Sequence, residues 1–130
     1  MRKLAERGMA EALKRSYAAA STDTGHTGNT PAPFLGHAEK LADFGYRAVH
    51  EMTVAAKAII HALYGTAPRL SYWNGCSTGG RQGLMEAQRF PSDYDGIIAG
   101  APANPQTRLN SWNVYVGHAA RLTSRRGGRV

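Results

Sequence analysis

One serine in this chain stands where a serine can do covalent chemistry. The run Tyr72-Trp73-Asn74-Gly75-Cys76-Ser77-Thr78-Gly79-Gly80-Arg81 puts a glycine two residues before Ser77 and another two after it. A short β-prone stretch enters this run and a helix-compatible stretch leaves it. That is the nucleophile-elbow pattern G-x-S-x-G in a strand–turn–helix context. A serine thrust out on so tight a turn must adopt a strained backbone, and neighbours with side chains would clash there. The chemistry it serves is acyl transfer. Oγ attacks an acyl carbon, and water then cleaves the acyl-enzyme. The backbone N–H of Thr78, at the start of the following helix, is the expected donor to the developing oxyanion. Cys76 is an alternative nucleophile by residue type. With Ser77 facing a cleft, however, Cys76 faces away from it, and it is expected as a free, largely buried thiol.

A serine nucleophile needs a base and an acid. Asp23 and His26 are the local candidates, in the loop Ser21-Thr22-Asp23-Thr24-Gly25-His26. The competing reading, preferred here, is that Asp23 and Thr24 build the turn through side-chain–backbone bonds and the loop supports the site. His37 is a loop residue. His50 and His61 read as surface or packing residues of a helix. His118 follows the elbow in chain order and is the weaker candidate for a base. Arg81 reads as structural, paired with a nearby acid. Tyr72 and Trp73 read as strand core. No Cys, His or carboxylate cluster has metal-ligand spacing, so no metal is expected in this piece.

The elements that must position Ser77 follow from periodicity. Residues 3–14 read as a helix. Ser16 to Thr22 is alanine-rich, yet its place between two helical patterns makes it a buried-strand candidate. Residues 21–40 form a long loop dominated by Gly, Pro, Asn and Thr. Residues 44–64 carry the clearest helix, with Val49, Met52, Thr53, Ala56, Ile59, Ile60 and Leu63 on one stripe. Asp43 is its expected N-cap and Gly65 its C-terminal stop. Leu70–Asn74 is a strand, Gly80–Arg89 a helix, and Tyr94–Gly100 a second apolar strand running into a proline-rich exit. Residues 108–123 read as helical, and residues 124–130 as a disordered basic tail. Strands alternating with helices imply a parallel sheet of about three strands in an α/β fold.

Composition narrows the class. With 42% hydrophobic and 19% charged residues the 130-residue chain is globular rather than disordered. No apolar run approaches the length of a membrane span. The start, Met1-Arg2-Lys3-Leu4-Ala5-Glu6-Arg7, lacks the apolar stretch of a signal peptide. One cysteine forms no internal disulfide. The net charge of +7 gathers at the two ends without a recognition motif, so solvated termini are favoured over a nucleic-acid surface.

Four separated blocks, in order, make a more specific pattern. They are Ser21 to His26, Leu41-Ala42-Asp43-Phe44-Gly45-Tyr46-Arg47-Ala48-Val49-His50, Tyr72 to Met85, and Asp95-Gly96-Ile97-Ile98-Ala99-Gly100-Ala101-Pro102-Ala103. Together they resemble the tannase/feruloyl esterase family over roughly residues 8–115. The resemblance implies an α/β-hydrolase fold, of which this chain is a central slice with the lid domain and C-terminal part absent. Residues 1–107 would be a partial core with the elbow at 75–79, and residues 108–130 the start of the lid region and a basic glycine-rich tail. It implies hydrolysis of esters of aromatic carboxylic acids by a Ser-His-Asp triad, with Ser77 matching the nucleophile. Cys76 matches a cysteine that in the family is disulfide-bonded to one beside the catalytic histidine, a partner this chain lacks. The family's aspartate and histidine lie beyond the lid, its glycine-rich oxyanion loop lies upstream, and its lid often binds calcium; in this chain no cofactor is expected. Members are usually secreted or periplasmic. The expected partner is a small aromatic ester, with no nucleic acid and no membrane. Two alternatives stand beside this reading: a truncated product that cannot turn over because it lacks the triad Asp and His, and a small basic binding module.

Overall fold

The computed structural model describes residues 2–28 and 30–127. The order of elements is α1 (Arg2–Lys14), a 3-10 turn (Ala32–Phe34), α2 (Ala38–Ala42), a π-helical turn (Asp43–Arg47), α3 (Ala48–Tyr64), β1 (Tyr72–Cys76), α4 (Thr78–Arg89), β2 (Gly96–Gly100) and α5 (Gln106–Gly127).

The unit that matters is β1-α4-β2. The two strands pair in parallel, Tyr72 opposite Gly96 through Cys76 opposite Gly100, and α4 is the crossover that a parallel pair requires. Helix α4 lies on one face of the pair. Its seat is made by missing side chains. A Cβ at Gly83 would sit 2.6 Å from Trp73 Cδ1 and 3.0 Å from Ile97 Cγ2. A Cβ at Gly80 would overlap the carbonyl oxygen of Gly100 and come within 3.0 Å of Pro102 Cα. The opposite face is bare: Tyr72 is 57% and Ile98 66% exposed. Among the described residues Val49 is the single buried hydrophobic side chain.

Several expectations change. Residues 17–23 form no strand, and the sheet has two strands rather than three. The alanines there supply no β-branched surface to hold a strand, and Tyr17 stays exposed. The long helix begins at Ala38, not after Asp43. Asp43 has helical dihedrals, and its Oδ1 accepts a 2.6 Å bond from Arg47 Nε instead of capping. The stop at Gly65 is as expected, with φ +73° and its N–H bonded to the His61 carbonyl at 2.9 Å. The apolar stripe of α3 is buried only near its start; Ile59 and Leu63 are exposed because no element among the described residues covers them. The strands start two residues later than expected, at Tyr72 and Gly96. Before each, a reciprocal pair replaces the ladder: Asp95 N–H bonds the Ser71 carbonyl, and Ser71 N–H bonds Asp95 Oδ2. Helix α5 spans 106–127, so the start of the expected disordered tail is helical; residues 128–130 lie outside the described residues.

Candidate active site

Strands β1 and β2 end side by side, at Cys76 and Gly100. The carboxyl ends of parallel strands are where such sheets hold ligands. Ser77 stands one residue past the end of β1, exposed, with φ 59° and ψ −114°. That backbone is one a residue with a side chain rarely adopts, and it costs on the order of 1–3 kcal/mol when the surroundings hold it.

The surroundings hold it from three sides. Ser77 N–H donates to the Gly100 carbonyl at 2.9 Å. Its own carbonyl accepts from Arg81 N–H at 3.0 Å and from Ala103 N–H at 3.3 Å. The turn closes tightly enough that a Cβ at Gly75 would sit 2.5 Å from the Gly79 carbonyl oxygen. That same oxygen accepts the indole N–H of Trp73 at 2.9 Å. Gly79 itself faces open space. The closeness the elbow requires therefore falls on Gly75 and Gly80, not symmetrically on the glycines two before and two after the serine. Thr78 opens α4, so its backbone N–H is among the first four of the helix, which have no intrahelical acceptor.

Cys76 is free, as expected, but exposed rather than buried. Strand alternation explains this: Tyr72, Asn74 and Cys76 share the bare face, while Trp73 and Gly75 face α4. For the same reason Tyr72 is not core, whereas Trp73 is half-buried and meets Tyr94 edge-on at 5.8 Å.

Asp23 and His26 fold on themselves. Asp23 Oδ1 accepts the Gly25 N–H at 2.9 Å, and the Thr24 hydroxyl donates to the Asp23 carbonyl at 2.7 Å and lies 3.2 Å from His26 Nδ1. The His26 ring packs on Phe34 and Phe44. Phe44 in turn lies under the Arg81 guanidinium, at 5.0 Å, and Arg81 donates to the carbonyls of Phe44 and Gly45 at 3.1 and 3.4 Å. Arg81 thus has carbonyl and aromatic partners in place of the expected acid, and burial lowers its pKa. The loop reaches the elbow helix through this aromatic stack. It brings no histidine into a bond with Ser77.

Sequence reasoning missed a second group, at the far end of α4. His50 Nδ1 pairs with Asp93 Oδ2 at 2.7 Å and its ring stacks on Phe90 at 3.9 Å. Glu86 beside them is 1% exposed. The spacing could have shown it: Gly80, Gly83 and Glu86 are the buried residues of α4, each three apart. His118 is exposed on α5 and His37 is exposed ahead of α2. Among the described residues, no group of three or more His, Cys, Asp or Glu side chains could hold a metal ion. No described helix is long and apolar enough to cross a membrane.

The model of the family described as tannase and feruloyl esterase matches residues 1–125. The chain belongs to the tannase and feruloyl esterase family. Feruloyl esterase B of Aspergillus niger is 47% identical over 106 residues, covering 82% of this chain and 20% of that protein. A probable feruloyl esterase B-2 of Aspergillus flavus is 46% identical over 104 residues, covering 80% and 20%. The crystal structure of feruloyl esterase B from Aspergillus oryzae superposes with a TM-score of 0.77 at 43% identity, covering 80% of this chain and 21% of that one. The chain thus spans about a fifth of the length of the relatives it matches. Its two parallel strands and helices match an α/β part of that esterase structure.

Proposed function

We propose that this chain carries the nucleophile segment of a serine carboxylic-ester hydrolase, with Ser77 attacking the ester carbonyl to give an acyl-enzyme. The observation that carries the proposal is the Ser77 backbone. A serine held at φ 59° by bonds to Gly100, Arg81 and Ala103 is strained into exposure at the ends of two parallel strands. A turn serine without a task has no need of that cost. Thr78 N–H is the oxyanion donor in this reading, aligned with the positive end of α4. Names of the relatives point to feruloyl, that is aromatic, acyl groups as the substrate class.

The base and acid are a separate matter. His26 is turned to Thr24 and His50 to Asp93, and neither is bonded to Ser77. Deprotonating the serine therefore falls to groups from another part of such an esterase, and the 130 residues alone are expected to turn over p-nitrophenyl acetate no faster than their Ser77→Ala variant. Esterase-like turnover lost in Ser77→Ala would place the base within this chain. The nucleophile is tested apart from turnover by supplying imidazole as an external base, in a Cys76→Ala background so that the exposed thiol does not compete. Acyl label from p-nitrophenyl acetate, mapped by mass spectrometry, is expected on Ser77 ahead of the exposed Ser21 and Ser92. Equal labelling of all three serines would refute the assignment.

A further inference from the structure

The far end of α4 holds a buried carboxyl set beside a second one, Asp93. Glu86 is 1% exposed, and neither of its oxygens has a partner in full hydrogen-bond geometry among the described residues. Asp93, in the turn between α4 and β2, is also buried, but it is partnered: Oδ2 takes His50 Nδ1 at 2.7 Å, and its carbonyl takes Lys57 Nζ at 2.6 Å. His50 and Lys57 both come from α3. Thr53, between them on the same helix, is bonded to the Tyr94 hydroxyl. Every polar link from α3 to this turn therefore converges on Asp93 and Tyr94, with Glu86 enclosed behind them. Two carboxyls share one imidazole, and Asp93 holds it.

From this arrangement we infer that Glu86, Asp93 and His50 form a proton-loaded latch that holds α3 against the α4–β2 turn and loosens when Glu86 ionises. An ionised Glu86 would be a second negative charge in a buried site whose one imidazole is already bonded to Asp93. The titratable groups that act on Glu86 are Asp93 and Tyr94 from the turn and His50 from α3, with Lys57 of α3 held on the Asp93 carbonyl. Burial, with the charge of Asp93 and a hydrogen bond to it adding and the His50 charge opposing, raises the Glu86 carboxyl to about 7. The direction of the pH effect follows. Folded Glu86 keeps its proton where the unfolded chain has lost it, so the folded state gains stability in acid and loses it as pH rises from about 4.5 to 7. The latch is independent of any role for Ser77, which sits at the other end of the same helix.

The test is urea unfolding of the full chain from pH 4.5 to 8.5, for the native sequence and Glu86→Gln. The other cluster groups are present in both, so the difference reads Glu86 together with its coupling to Asp93 and His50. Over this window the native sequence should gain in unfolding constant relative to Glu86→Gln, by up to about tenfold per pH unit. Parallel profiles would overturn the latch. A second readout needs no variant: the side-chain carboxyl carbon of Glu86, followed by NMR in the native sequence. A midpoint near neutrality supports the latch, and one in the ordinary glutamate range overturns it.

Discussion

Two adjacent glycines of the elbow should respond to alanine with opposite sign. At Gly79 an added Cβ meets nothing within 4 Å, and the residue lies in the first turn of α4. Alanine there gains helix propensity and restricts the unfolded chain, for about 0.5–1 kcal/mol of added stability. At Gly80 the same methyl collides with the Gly100 carbonyl oxygen and presses on Pro102 Cα at 3.0 Å. Both are backbone atoms that cannot swing aside, so α4 would have to lift from β2 by roughly half an ångström, and close-packed structure resists such shifts. Overpacking of this kind costs typically 1–3 kcal/mol. The displaced Gly100 oxygen is also the acceptor of Ser77 N–H, and weakening that bond adds about 1 kcal/mol. Against the propensity gain, Gly80→Ala should lose about 1–3 kcal/mol, leaving the two variants about 2–4 kcal/mol apart. Urea unfolding followed by circular dichroism reads the difference directly, because slopes of about 1–3 kcal/mol per molar urea turn it into a midpoint gap of about 1 M or more. If the two variants unfold at the same urea concentration, or if Gly79→Ala is the weaker of the two, the account of how α4 seats on β2 is wrong.

Other outcomes follow from the same geometry. Ser77→Gly should raise stability by about 1 kcal/mol, since glycine adopts φ 59° freely; a thermal scan that shows a loss would mean that Ser77 is not strained. Cys76 should react with a thiol reagent in the folded chain about as fast as in urea, being exposed on the bare face; strong native protection would contradict that placement. Arg81→Met should leave the carbonyls of Phe44 and Gly45 without their donor, cost about 1 kcal/mol, and shift the His26 ring resonances through Phe44. Unchanged His26 signals would disconnect that loop from the elbow helix.

The elbow was legible because its constraint is local. Glycines around one serine, between a β-prone run and a helical one, describe a turn that few other residues permit. The helix 38–64 was legible from its stripe, but not its start, because Asp43 is as good a partner for Arg47 at i,i+4 as it is a cap. The third strand was misread for a physical reason. A strand is stabilised by its neighbour, and an alternation of elements says nothing about whether residues 16–22 find one. Cys76 was misjudged likewise, since burial on a strand depends on what covers the face and not on the residue's type. The His50–Asp93 pair joins positions 43 residues apart, a separation at which local pattern carries no signal.

The bonds that hold Ser77 bear on when the elbow can exist during folding. Two of the three reach Gly100 and Ala103, more than twenty residues further along the chain. A growing polypeptide that has emerged only as far as the glycines around Ser77 has the turn sequence but not its anchors. The strained conformation is reached only after α4 has wound and β2 has paired with β1, which makes it a late product of a non-local closure. Until then the serine is free to relax into an ordinary turn, so its reactive posture is acquired together with the sheet rather than before it.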